Sequence, residues 1–120
     1  MKNSLALKPI LLAAGVGERL KPFTNIFPKC LMPINGIPLL EYWLAAIHKL
    51  AINDVIVNVH YRSAEVIDFL SRPRFSNWVT YSEENHLLGT AGTIRANKDF
   101  IKNSTCLLVH ADNWCCCNLQ

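Results

Sequence analysis

Pro9-Ile10-Leu11-Leu12-Ala13-Ala14 is an unbroken apolar run that stops at a turn, Gly15-Val16-Gly17-Glu18-Arg19. An apolar run of this length without alternation reads as a strand buried on both faces, which is how strands of a parallel sheet look. Moving outward, Leu40, Trp43, Leu44, Ile47 and Leu50 share one face of a helix expected over Leu39 to Ile52, with Pro38 at its start. Asp54 to His60 (DVIVNVH) is rich in β-branched residues and reads as a second buried strand. Ser63 is expected to cap a short helix through Leu70, and Pro73 follows its end. Trp78 to Ser82 reads as a third strand, Thr90 to about Asn97 as a helix capped by Thr90, and Thr105 to His110 as a fourth strand. Strands alternating with helices imply parallel pairing through crossovers. The expected fold is therefore α/β, a Rossmann-like doubly wound parallel sheet in three layers with strand order 3-2-1-4.

Composition narrows the function classes. The chain has 120 residues, 51% of them hydrophobic, which describes one globular domain or part of one and excludes a disordered chain. The net charge is +3, yet no Lys/Arg block is dense enough for a nucleic-acid arm, so no nucleic-acid partner is expected. No apolar stretch approaches the ~18 residues that span a bilayer, so no membrane partner is expected either. Met1 to Val16 faintly resembles a signal peptide, but Lys8 and Pro9 interrupt it. The five cysteines form no C-x-x-C pair, and Cys115, Cys116 and Cys117 are consecutive. That pattern fits a reducing compartment, with the cytoplasm as the expectation. His110 and the cysteine run lack a second ligand pair, so zinc is not expected there.

With the order 3-2-1-4, winding reverses between strands one and four, and ligands of such sheets bind in the crevice at that point. Two segments should emerge there: the Gly15 to Arg19 turn and the turn after His110 that carries Asp112. Gly15 and Gly17 can let backbone N–H groups approach an anion, and Arg19 can place a planar fork on phosphate oxygens. Ordinary turn glycines, a solvated Arg19, a surface Lys29 and a turn-forming Asp112 are the plainer alternatives. The dinucleotide fingerprint fails, because Leu20 takes its third glycine position and no helix opens until Pro38; no P-loop Gly-Lys-Ser/Thr is present either. Arg19, Lys21 and Lys29 against Glu18 make the Gly15 to Pro38 stretch attractive to a polyphosphate, and Pro22, Pro28, Pro33 and Pro38 stiffen it. His48, His60, His86 and His110 read as structural, and Tyr42 with Trp43 as core.

Leu12-Ala13-Ala14-Gly15-Val16-Gly17-Glu18-Arg19-Leu20, then Pro22 and Thr24, then Pro28-Lys29-Cys30-Leu31-Met32-Pro33-Ile34, resembles the signature of the sugar-1-phosphate nucleotidylyltransferases. Leu88-Gly89-Thr90-Ala91-Gly92 and Ala111-Asp112-Asn113 resemble further pieces of the same pattern. The resemblance implies transfer of a nucleoside monophosphate from an NTP to a sugar 1-phosphate, with Mg²⁺ and release of pyrophosphate. By correspondence, Arg19 would hold the β and γ phosphates, Lys29 the charge near the α phosphate, and Asp112 the Mg²⁺. Ala14, Gly15, Gly17 and Glu18 would line the nucleotide, and Gly89 would let the base or sugar approach. The Leu-Gly-Thr-Ala-Gly form points to a mannose-type guanylyltransferase, hence GTP and a mannose-like 1-phosphate, while Gly17-Glu18-Arg19 also resembles uridylyltransferases, leaving UTP open. Family members continue well past Asn113, so residues 1–120 are expected to be the nucleotide-binding part, with the sugar-binding part absent and little turnover alone. A non-catalytic nucleotide-binding module, or an NAD-binding dehydrogenase lacking the third glycine, would be the alternatives. An unpaired fourth strand would also permit a homo-oligomer.

Overall fold

In the computed structural model, which describes residues 4–120, β1 (Leu7–Leu12) lies between two parallel neighbours, β4 (Val55–Val59) and β6 (Thr105–His110). With β5 (Val79–Glu83) outside β4, the sheet runs β5-β4-β1-β6, the expected 3-2-1-4 order of a Rossmann-like α/β fold. Residues 1–3 of the signal-like start lie outside the described residues.

β1 begins and ends two residues earlier than expected. Its pairing with β6 starts at Leu7 opposite Thr105, and the Thr105 N–H donates to the Ala6 carbonyl. Lys8 is accommodated in the strand, its ammonium pairing with Asp54 and lying 4.9 Å over the Phe100 ring. At the other end, the Ala13 and Ala14 amides leave the ladder and donate to the Asn58 side chain. The third strand is likewise shifted by one residue, to Val79–Glu83.

The helices are α1 (Leu39–His48), α2 (Ser63–Leu70) and α3 (Gly89–Ala96). α1 does not reach Ile52, because Leu50 and Ala51 bond back three residues and Ala51 turns into the left-handed region at φ +58°. Ser63 is not the cap of α2. Arg62 holds that position at φ +50°, and the Ser63 hydroxyl donates instead to Glu83. Thr90 is not the cap of α3 either; it lies inside a helix that opens at Gly89, and the preceding Leu88 N–H is taken by the Glu84 carboxylate.

The Gly15 to Pro38 stretch is more structured than its sequence suggested. It contains single 3-10 turns at Glu18–Leu20, Phe23–Asn25 and Lys29–Leu31. A small hairpin follows, β2 (Pro33–Ile34) against β3 (Ile37–Pro38), turning through Asn35 and Gly36 at positive φ. Asn-Gly between apolar residues is the two-residue hairpin signal.

The core lies on the β4 side of β1. Val55, Val57 and Val59 are fully buried, with Leu40, Leu44 and Ile47 of α1 and Val66 of α2. Among the described residues β6 has a partner on one side only, and within it Val109 alone is buried. No helix among the described residues is long and apolar enough to cross a membrane.

Candidate functional site

The C-terminal ends of β1 and β6 deliver two segments, far apart in sequence, to one open cavity of about 450 Å³. Its lining includes Gly17, Glu18, Arg19 and Lys29 from the stretch after β1, and His110, Asp112 and Asn113 from the end of β6. Lys29 Nζ donates to Asp112 Oδ2 at 2.8 Å across it, joining residues 83 positions apart. Thus Gly17, Glu18, Arg19, Lys29 and Asp112 come together. His110, read from sequence as structural, stands in the same lining.

Three other expected residues stand apart from that lining. The Ala14 amide is committed to Asn58, so it is not available to an anion. Gly15 has open space where a Cβ would stand and no positive φ, so nothing in the protein itself requires glycine there. Gly89 needs glycine for its backbone, at φ +73°, and sits at the start of α3, beyond β5.

Local sequence explains how the cavity wall is held. Gly17 sits at φ +70°, and a Cβ there would meet Thr24 Cγ2 at 2.7 Å and Lys29 Cβ at 3.2 Å. The buried Thr24 hydroxyl donates to the Gly17 carbonyl at 3.0 Å. Tyr61 donates to the Thr24 carbonyl at 3.0 Å and Arg62 to the Asn25 carbonyl at 2.7 Å, so the end of β4 braces the turn from behind. Beside Lys29, Cys30 is buried, and that burial pushes its thiol up to about 12. Such a thiol is a packing group rather than a nucleophile. Cys30 faces inward, and its neighbour Lys29 reaches the cavity.

On the opposite wall, Trp43 of α1 donates its indole N–H to the Asn113 carbonyl at 2.7 Å, holding the loop that bears Asp112. Tyr42 donates to the Ile34 carbonyl and meets Trp114 edge-on. Trp43 is half-buried and packs against the core, as the sequence suggested, whereas Tyr42 is a half-buried tie outside that cluster. A tryptophan with a reachable acceptor is the signal that could have marked Trp43.

Electrostatically the cavity offers, among the described residues, one uncommitted cation. Glu18 pairs with Lys21 at 2.7 Å, and that hydrogen bond raises the Lys21 pKa. Among the described residues Arg19 makes no ion pair. Lys29 and Asp112 neutralise each other only while paired. An arriving polyanion attracts Lys29 and an arriving cation attracts Asp112, so a metal–polyphosphate complex can exchange both partners at once.

Whether these residues suit Mg²⁺ follows from their donors. Among the described residues no group of three or more His, Cys, Asp or Glu stands together as a metal cage. Mg²⁺ is usually held by one or two carboxylates together with substrate phosphates and water. A single Asp112 beside Arg19 and Lys29 fits a cation that arrives with its phosphates.

Residues 8–120 match the family described as nucleotidyl transferase. The chain belongs to that family. Among similar proteins, a D-glycero-alpha-D-manno-heptose 1-phosphate guanylyltransferase of Campylobacter jejuni is 32% identical over 102 residues, covering 85% of this chain and 46% of that protein. A mannose-1-phosphate guanyltransferase of Saccharomyces cerevisiae is 28% identical over 113 residues, covering 91% of this chain and 31% of that protein. The solved structure of HddC from Yersinia pseudotuberculosis complexed with GMP-PN superposes with a TM-score of 0.78 at 26% identity, covering 92% of this chain and 50% of that one. This nucleotidyl transferase chain therefore spans half or less of the length of these relatives. Its glycine turn, Lys29 and Asp112 all fall inside the matched residues.

Proposed function

We propose that residues 1–120 form the nucleotide-binding part of a sugar-1-phosphate nucleotidylyltransferase. The reaction would join an oxygen of the sugar phosphate to the NTP α phosphorus as the bond from that phosphorus to the β-phosphate oxygen breaks, and the electron pair leaves with pyrophosphate. The acceptor phosphate is itself the nucleophile, so no Ser, Cys or His has to attack. The protein's task is to align two anions and offset their repulsion.

In this reading Arg19 binds the β and γ phosphates, and Lys29 turns from Asp112 to the charge near the α phosphate. The Gly15 to Gly17 backbone lies along the nucleotide, Glu18 keeps Lys21 at the rim, and Gly89 leaves room for base or sugar. Asp112 would hold Mg²⁺, which supplies charge neutralisation to the phosphates when bound. GTP and a mannose-like 1-phosphate are the favoured substrates, since the two guanylyl-transferring relatives and the GMP-PN complex lie nearest that choice. UTP is the competing nucleotide. The free cysteines suit a reducing compartment such as the cytoplasm.

The Lys29–Asp112 contact, bridging the two segments beside Arg19, supports this reading most directly. Calorimetric titration with Mg²⁺ and GTP tests it, with UTP, CTP and dTTP as comparisons. Binding should require Mg²⁺, favour GTP, and weaken about ten-fold or more in Lys29→Ala. No affinity for any NTP, or an affinity unchanged in Lys29→Ala, would overturn it.

A further inference from the structure

Asn58 is a polar residue in an otherwise apolar strand, Val55-Ile56-Val57-Asn58-Val59, and it is buried. A valine would serve the ladder as well. What Asn58 adds is a set of bonds that uses all of its amide. Oδ1 accepts from the Ala13 N–H at 2.6 Å and the Ala14 N–H at 3.2 Å. Nδ2 donates to Glu84 Oε2 at 3.0 Å and to Thr93 Oγ1 at 3.2 Å. Leu12 opposite Asn58 is the last pair of β1 with β4, so Ala13 and Ala14 are the residues whose amides have just lost a strand partner. The side chain of Asn58 replaces that partner and sets the direction in which the Gly15 to Arg19 turn departs.

Glu84 decides which way the Asn58 amide faces. Glu84 is only 5% exposed, and its carboxylate accepts from Asn58, from the Thr93 hydroxyl at 2.6 Å, and through Oε1 from the Leu88 N–H at 3.2 Å. Removing a carboxylate from water is costly unless its hydrogen bonds are made. Here they tie the turn after β1 to the turn that opens at Gly89. His60 Nδ1 lies 2.7 Å from the Glu84 carbonyl, which fixes the backbone of the same residue.

We propose that Asn58, oriented by Glu84 and Thr93, is a positioning residue that sets the Gly15–Arg19 turn and the Gly89 turn together for the nucleotide. The proposal rests on the nucleotide reading given above. It concerns residues that touch neither phosphate nor metal and act through the backbone they hold.

The test reverses the polarity of the pair. Asn58→Asp keeps the acceptor for Ala13 and Ala14 but sets a carboxylate oxygen against Glu84. Adding Glu84→Gln supplies a donor toward position 58 and retains an oxygen for the Leu88 N–H, so the double variant restores the bonds and the net charge. Two readouts are taken on the full chain, below the melting temperature of each variant: the amide resonances of Gly15, Gly17 and Gly89, and the Mg²⁺-dependent affinity for GTP.

Asn58→Asp should move all three glycine resonances and weaken binding about ten-fold, and the double variant should recover both. Leu44→Ala, a core change, should lower Tm while leaving the affinity of the folded protein unmoved. If Asn58→Asp fails to fold, Thr93→Val, which removes one hydroxyl from the network, is read against the double variant by the same two measures. Glycine resonances unmoved in folded single variants, or no recovery in the double variant, would overturn the proposal. Absence of GTP binding by the unsubstituted chain would instead remove the nucleotide reading, and the resonances would then decide whether Asn58 sets both turns.

Discussion

The two flanks of β1 use the same kind of strand end in opposite ways. On the β4 and β5 side, fully buried valines lie under α1 and α2, and the polar groups at the strand tips satisfy one another through Asn58, Glu84 and Thr93. On the β6 side only Val109 of the strand is buried, and the tip opens into a cavity where Arg19, Lys29 and Asp112 face a common space. Among the described residues, no buried side-chain polar atom is left without a partner. Close packing is therefore concentrated on one flank and an open, charged cavity on the other.

Cutting side chains of equal size on each flank should have unequal costs. Leu44→Ala should cost about 2–5 kcal/mol in urea unfolding, because Leu44 is fully buried in close packing. Leu107→Ala, on half-buried β6, should cost no more than about 1–2 kcal/mol. Equal losses would mean that β6 carries as much of the fold as β4.

A second comparison sits within the glycine turn. Gly17→Ala should destabilise by about 1–3 kcal/mol, since it forces a side chain into positive φ and against Thr24. Gly15→Ala meets open space and should leave Tm nearly unchanged. If Gly15 faces phosphate in the complex, that variant should lose affinity without losing stability.

The charged cavity should respond in binding more than in folding. Lys29 and Asp112 are 29% and 31% exposed, so separating them should change stability by less than about 1 kcal/mol. Asp112→Asn should nonetheless reduce Mg²⁺-dependent GTP affinity about ten-fold, read by the same calorimetry.

The smallest effect is a pH dependence from Cys30. Its folded pKa lies above the ordinary thiol value of 9.0, because burial opposes the thiolate. A raised folded value contributes stability that is complete below the unfolded pKa and is lost as pH rises from about 9 toward about 12. By pH 9.5 the loss should still be under about 1 kcal/mol, and Cys30→Ala should lack it. Thiol reagents should label exposed Cys115, whose pKa is lowered by side-chain and backbone hydrogen bonding with Cys117, and should spare Cys30 until the chain unfolds.

Much of this was legible in the sequence, for physical reasons. Buried parallel strands are continuous apolar runs, so β1, β4 and β6 could be read directly, whereas their order came from the usual winding of a doubly wound sheet. The Pro28 to Pro33 segment and Asp112 carried enough pattern to bring Lys29 and Asp112 to one place. Helix starts were less legible: Ser63 and Thr90 have capping chemistry, but tertiary partners override it, Glu83 taking the Ser63 hydroxyl and Glu84 the Leu88 amide. The Asn58, Glu84 and Thr93 network could not be read from spacing, because only the β4–β5 register and the placement of α3 bring those positions together. Its one visible signal was an asparagine inside a β-branched run.

Whether the turn after β1 and the turn after β6 meet at one metal–nucleotide complex is read by replacing Mg²⁺ with Mn²⁺ in the presence of GTP and following paramagnetic broadening of backbone amide resonances. Gly17 to Leu20 and His110 to Asn113 should broaden together and first, while α2 stays sharp. Broadening centred on Cys115 to Cys117, or on only one of the two segments, would contradict it.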